Sequence, residues 1–213
     1  MIETHKLDYE NLERRYNEAS SQWHKKLCAM QYPENYCGFV SQFIGDFQPE
    51  WNVLDAGAGT GGFSQALIEV CGAPYRMTLL DISHDMLVKA KQALKNDVGE
   101  IRTLRTSIEA LNPNKKYDLI LCAHVVEHCH DHVLALKALR SSLKPGGRLL
   151  LVASKPHWCT ILLQLIWGHK AFSPKHMEAF LHEAGFTGIS RHKFHCGPPK
   201  RVSAGYFASN PTK

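Results

Sequence analysis

The stretch VLDAGAGTGGFS, residues 53–64, decides how the chain folds. An apolar run ends in an acid, a glycine-rich turn follows, and a helix-like segment opens at Gly62. Strand, glycine turn and helix in that order form a unit that holds a nucleotide, because a glycine backbone can approach a ligand that a Cβ would keep away. Gly57, Gly59 and Gly62 fit the G-x-G-x-x-G spacing of dinucleotide sites. Asp81 stands about twenty residues downstream, where such sites place an acid for the ribose. No Lys-Ser or Lys-Thr follows the glycines, which excludes a P-loop. Asp55 argues against a dinucleotide. It sits two residues before Gly57, where its carboxylate would repel pyrophosphate, and it suits a ligand that carries a cationic amine. About fifty residues precede this strand, whereas dinucleotide folds usually begin with theirs.

Outward from the turn, strand and helix periods alternate. Residues 8–30 set Leu12, Tyr16, Ala19, Trp23 and Leu27 at helical spacing, and Pro33-Glu34 opens a second helix that runs through Phe43. Strands are expected over 52–56, 77–81, 101–105, 117–122 and 148–153. Helices are expected over 62–70, from Ser83 or His84 to Lys95, and over 131–143. Strands this continuously apolar belong to a parallel sheet covered on both faces. The chain ends differently. Ser173-Pro174 caps a helix that closes at Ala184-Gly185-Phe186, and two strands, 189–194 and 202–208, are joined by HCGPPKR. This hairpin-like close predicts an antiparallel strand at the sheet edge.

Further phrases carry a family resemblance. VLDAGAGTGGFS is followed by LLDIS (79–83), KYDLILCAHVVEH (116–128) and LKPGGRLLLVAS (143–154). In that order and spacing the run over 52–153 resembles the class I S-adenosylmethionine-dependent methyltransferases. RRYNEASSQWHKKL (14–27) is similar, more loosely, to the N-terminal cap of members with small or lipophilic acceptors. The resemblance implies an α/β fold with a doubly wound, mostly parallel seven-stranded sheet of order 3-2-1-4-5-7-6, strand 7 antiparallel. Residues 1–48 would form a helical cap or lid and 49–213 the Rossmann-like domain, one compact unit overall. The implied cofactor is S-adenosylmethionine, with S-adenosylhomocysteine as product. Asp55 would meet its ammonium, directly or through water, and Gly57 and Gly59 would let the backbone pass close to it. Asp81 would take both ribose hydroxyls and Ile82 would lie against the adenine. Ser107 and Ile108 would face the adenine edge, and Ala123 would border the cofactor at the end of strand four. Many relatives carry Asp where Ser107 stands.

CAHVVEHCHDH, residues 122–132, packs four histidines, two cysteines and two acids into eleven positions. His124 and His128 are one helical turn apart, a spacing open to metal, to structure or to catalysis. VVEH resembles a phrase ordinary in the family and not a metal site there, and no C-x-x-C accompanies it, so no metal is expected. His124 follows strand four directly, at the edge where such sheets hold ligands. It is the first candidate for a general base and His128 the second; Glu127 would steer a cationic amine or cap backbone. The Asn/Asp-Pro-Pro-aromatic phrase of adenine, cytosine and glutamine amino-methyltransferases is absent after strand four. So are a Pro-Cys nucleophile and the Asp of magnesium-dependent catechol-type enzymes. A small organic or lipid-like acceptor remains.

The totals agree. The chain has 213 residues, 44% of them hydrophobic, enough for one core. No run is apolar enough to span a membrane, and the opening MIETHKLDYE is too polar for a secretory signal. Seven scattered cysteines cannot all pair and fit a reducing cytoplasm. The net charge of +5 is uneven: residues 144–213 hold ten Lys/Arg against two Asp/Glu, about +8, which leaves the rest near −3. Such a third serves a solvated face, an anionic substrate, an anionic membrane surface or nucleic acid. Its charges lack an aromatic stacking pattern, so nucleic acid is not the expected partner. PHWCTILLQLIWGHKAF (156–172) suits an apolar acceptor wall, core cover or a weak peripheral membrane contact. The oligomeric state is not legible.

Overall fold

The computed structural model describes residues 2–157 and 171–212, with side chains from Glu10 onward. Elements are numbered among these residues. The chain opens with α1 (Ile2–Ala29) and α2 (Tyr32–Phe43). The first helix starts ahead of residue 8 because nothing before Pro33 is a Gly or Pro that would stop it. Then follow β1 (Asn52–Ala56), α3 (Gly62–Cys71), β2 (Arg76–Asp81), α4 (His84–Leu94), β3 (Glu100–Arg105), β4 (Tyr117–Ala123), α5 (His132–Ser142) and β5 (Leu143–Ser154). The close is α6 (Pro174–Glu183), β6 (Thr187–His192), the short α7 (Pro199–Val202) and β7 (Ser203–Ser209). Ser83, Asp131 and Ser173 cap α4, α5 and α6 through their side chains, which sets where those helices begin.

The sheet has seven strands in the order β3-β2-β1-β4-β5-β7-β6. β1 pairs in parallel with β2 and β4, β2 with β3, and β4 with β5. β7 runs antiparallel to both β5 and β6. The antiparallel strand therefore lies one place in from the edge, and β6 takes the edge itself. Burial explains the order. Five of the seven β7 residues are buried, whereas β6 buries only His192, so the apolar strand goes inside. The ladder also moves the expected boundaries. β6 spans 187–192 because Thr187 pairs with Ser209 and His192 with Gly205, which leaves buried Phe194 beyond the strand. β5 begins at Leu143, opposite Tyr117, and the irregularity between Tyr117 and Leu119 absorbs Lys144-Pro145-Gly146-Gly147.

Strand side chains alternate between two cores. Leu54, Ala56, Ile120, Cys122, Leu149 and Leu151 face α5 and α6. Val53, Leu119, Leu121, Leu150 and Val152 face α2, α3 and α4. Phe39 and Val40 of α2 are fully buried in this second core. Strand order reverses between β1 and β4, where the loops after the two strands diverge and leave a crevice.

Candidate active site

The crevice is a cavity of about 900 Å3, its open mouth included. Of the predicted cofactor residues, Gly57, Gly59, Asp81, Ile82, Ser107, Ile108 and Ala123 line it, together with both candidate bases, His124 and His128. Asp55 does not reach the wall.

The glycine turn is pinned to the end of β2: Gly57 N and Ala58 N both donate to Leu80 O, at 2.7 and 2.9 Å. The two glycines are needed for different reasons. At Gly57 (φ +84°) a Cβ would lie 1.9 Å from Val125 Cγ2, so the loop after β4 already occupies that space. At Gly59 (φ +52°) the nearest atom, Trp23 Nε1, is 3.6 Å away, so protein packing does not exclude a Cβ there. Thr60 Oγ1, in the same turn, is buried on the cavity wall without a partner among the described residues.

Asp55 lies beneath the turn at 1% exposure, where it accepts a 2.6 Å hydrogen bond from Ser64 Oγ of α3. Burial pushes its carboxyl up to about 7; the Ser64 hydroxyl opposes this and the Asp81 charge adds to it. Asp81 ends β2 with each oxygen accepting one backbone amide, Oδ2 from Gly59 N and Oδ1 from Ser83 N, both at 2.9 Å. Burial raises it to about 6 against the pull of those amides. Each oxygen keeps a lone pair for a ligand hydroxyl. Ser107 opens a single 3₁₀ turn and Ile108 is buried within it.

The four histidines after β4 go to separate places. His132 is core: its Nδ1 donates to Val126 O at 2.9 Å and its ring packs on Phe172. His130 is exposed. His128 Nε2 is 3.1 Å from Tyr16 Oη on α1. His124 is held at φ +57°, in the left-handed region, by a bond from its amide to Val152 O. Its Nδ1 lies 3.2 Å from Glu127 Oε1 and 3.1 Å from Ser154 Oγ, and Tyr32 meets the ring edge-on. His124 Nε2 and Glu127 Oε2 are buried without partners among the described residues. Among the described residues no group of three His, Cys, Asp or Glu is placed to hold a metal ion.

α1 closes the mouth with Leu12, Tyr16, Trp23 and Leu27. Its polar face is fastened to the body by Glu13 to Arg105, by Asn17 Oδ1 to Ser83 Oγ at 2.5 Å, and by Ser20 Oγ to Lys89 Nζ at 2.9 Å. No signal in the sequence pointed to Tyr32 or Ser154 as neighbours of His124. The acid three residues on in VVEH was the one available hint for Glu127.

A family model described as a methyltransferase domain matches residues 29–191. The chain belongs to this methyltransferase family. Among its curated relatives is fusarin C synthetase of Gibberella fujikuroi, 26% identical over 175 residues that cover 73% of this chain and 4% of that protein. The ubiquinone/menaquinone biosynthesis C-methyltransferase UbiE of Shewanella woodyi is 32% identical over 113 residues, 51% of this chain and 45% of that one. This methyltransferase chain thus spans less than half the length of the curated relatives it matches. The N-methyltransferase NodS of Bradyrhizobium japonicum, in complex with S-adenosylhomocysteine, shares its fold at a TM-score of 0.75 and 21% identity, covering 96% of this chain and 98% of that one. Magnesium protoporphyrin IX methyltransferase of Synechocystis, with the same product bound, shares it at 0.77 and 18%, covering 95% and 99%. Among the described residues no helix is long and apolar enough to cross a membrane. The apolar stretch 156–172 lies largely outside the described residues.

Proposed function

We propose that the protein transfers a methyl group from S-adenosylmethionine to a small organic or lipophilic acceptor, with S-adenosylhomocysteine as product. One observation carries this reading: the glycine turn, the Asp81 carboxyl and the His124 ring converge on a single lidded cavity from the ends of β1, β2 and β4. The unpartnered Thr60 Oγ1 and the two-oxygen acceptor Asp81 fit a ligand with ribose hydroxyls.

Bound there, the cofactor supplies an electrophilic methyl on a cationic sulfonium. Asp81 holds the ribose edge, and Ile82, Ser107 and Ile108 border the adenine. Asp55, set back under the turn, acts on the ammonium through water and through the field of its charge. α1 excludes solvent and holds the reactants together, which is the main requirement of an in-line displacement. His124 takes the acceptor's proton where the nucleophile has one to lose. Glu127 accepts at Nδ1 and leaves Nε2 with its lone pair. His128, bonded to Tyr16 of the lid, is the second candidate base. In this reading α1 is the lid and α2 belongs with the catalytic body. The six described cysteines are all free, which suits a reducing, cytoplasmic setting.

The test is calorimetry with S-adenosylmethionine, S-adenosylhomocysteine and NAD(H), followed by a screen of small acceptors with labelled methyl donor. Donor binding with transfer to a small acceptor supports the reading. Binding of NAD(H) alone overturns the cofactor; transfer to oligonucleotides alone overturns the acceptor class.

A further inference from the structure

Four cations of the basic third of the chain line one concave site that the methyl-transfer machinery does not use. Lys155 just past β5, Arg191 and His192 at the end of β6, Lys193 and His195 in the loop beyond, and Lys200 in α7 line a pocket of about 680 Å3, its open side included. Among the described residues lining it there is no carboxylate; Glu178 approaches Arg191 at 3.8 Å from α6. Arg191, Lys193, His195 and Lys200 are exposed, but the backbone that carries them is held by a built frame. Lys155 N donates to Val202 O at 2.7 Å and Lys155 Nζ to Lys200 O at 3.0 Å. Asn35 of α2 grips the loop, accepting from His195 N at 3.2 Å and donating to Cys196 O at 3.1 Å. His192 Nδ1 donates to Gln42 Oε1 at 2.5 Å, and Phe194 anchors the loop in the core. The cations feel one another: burial first, then the charges of Arg191 and Lys193, push the Lys155 ammonium down. A bound anion relieves that repulsion.

The pocket lies at the same end of β5 as the active site: Ser154, the last residue of the strand, contacts the His124 ring through Oγ, and Lys155 follows it in the chain. On the facing strand Ser203 Oγ contacts Tyr32 Oη behind His124, and the next residue, Ala204, lines the basic pocket.

Resting on the methyl-transfer reading, we propose that this pocket binds a phosphate or pyrophosphate group carried by the acceptor, so that the methylated atom lies at His124 and the anionic group at Lys155, Arg191, Lys193 and Lys200. A phosphate offers three acceptor oxygens and up to two charges, which matches one guanidinium fork and three ammonium groups better than a lone carboxylate does. A concavity of this size suits one such group, whereas a nucleic-acid strand needs a row of phosphate contacts.

Inorganic pyrophosphate is the probe, titrated into donor-saturated protein and followed by calorimetry and amide NMR. Saturable binding is expected, with shifts confined to residues around 155 and 191–204. It should weaken about tenfold or more in Lys193→Ala and be lost in Arg191→Ala/Lys193→Glu. Donor affinity, measured in the same samples, should be unchanged. In the acceptor screen, phosphorylated acceptors should be methylated and their dephosphorylated forms poorly, with Lys193→Glu removing that preference. Absence of saturable binding, or equal binding by the variants, overturns the proposal while donor binding still stands. Failure of donor binding instead removes the methyl-transfer reading on which it rests. Phosphatidylcholine vesicles with and without phosphatidic acid separate the sources: binding to the acidic vesicles that the variants abolish assigns the phosphate to a lipid headgroup, and binding of pyrophosphate alone assigns it to a soluble acceptor. Duplex DNA bound at physiological salt more tightly than pyrophosphate, through the same residues, overturns the proposal in favour of nucleic acid.

Discussion

His124 Nδ1 lies 3.2 Å from Glu127 Oε1, and the same carboxylate oxygen accepts the Ser154 amide at 2.6 Å. Burial alone would raise the Glu127 carboxyl. The hydrogen bond and charge of His124, with the Ser154 amide, bring it down to about 2, so it is an anion across the neutral range. An anionic carboxylate only accepts, so Nδ1 donates to Glu127, and Nε2 is buried with no partner among the described residues. Holding a non-glycine residue at φ +57° costs of order 1–3 kcal/mol, a strain that persists where the site needs the ring in one place.

His124→Gln keeps a polar side chain without the base. Turnover should fall about a hundred- to ten-thousandfold while donor affinity stays. Glu127→Gln frees the ring to take either tautomer and should lower kcat with little change in donor affinity; a role confined to structure would instead lower the melting temperature at unchanged kcat. Steady-state kinetics beside donor calorimetry read both. Wild-type turnover in His124→Gln would show that alignment alone carries the reaction.

Asp55 and Asp81 set the pH dependence of donor binding. Their carboxyls stand at about 7 and about 6 in the free protein, above the ordinary 3.8, chiefly through burial. The folded state therefore holds protons that the unfolded chain releases. The stability this provides is complete below about 4 and declines as pH rises to about 7. A cationic donor favours the ionised forms, so its affinity should climb between pH 5 and 7 and then level off, with protons released on binding. Melting curves with and without donor, and titrations in two buffers of different ionisation enthalpy, test both signs. Asp81→Ala should weaken the donor about ten- to a hundredfold, the worth of a charge-assisted hydrogen bond of roughly 1.5–3 kcal/mol. Asp55→Ala should weaken it too and remove the upper part of the pH dependence.

Gly57 and Gly59 should respond differently to alanine. Gly57→Ala drives a methyl into Val125 and should destabilise the fold by about 1–3 kcal/mol or more, partly recovered in Gly57→Ala/Val125→Ala. Gly59→Ala meets no such wall and should remain folded with weakened donor binding. Equal loss of stability in both would contradict the distinction.

The α1 fastenings should govern how long the donor stays. Asn17→Ala and Ser20→Ala each remove one tie, worth about 0.5–1.5 kcal/mol, without touching the cavity floor. Stopped-flow measurements should find faster donor release and nearly unchanged association. Trypsin cleavage at Arg14 or Arg15 should slow when donor is bound.

The sequence by itself determined the repeating strand-helix units, the nucleotide-holding turn and the place of Asp81 at the end of its strand; Ser107 and Ala123 came from the family resemblance. Those features rest on local causes: period-two and period-3.6 burial, helix caps and glycine turns act within a few residues. The tertiary structure decided what depends on distant segments meeting. It put Asp55 beneath the turn instead of on the wall and gave Gly57 its reason in Val125. It brought Glu127, Ser154 and Tyr32 around one histidine, and sent the neighbouring His132 into the core. It also gathered Lys155, Arg191, Lys193 and Lys200 from separate segments into one pocket, which a count of charges along the chain cannot distinguish from a solvated face. Register and packing bring such groups together, and neither is written in any short window of sequence.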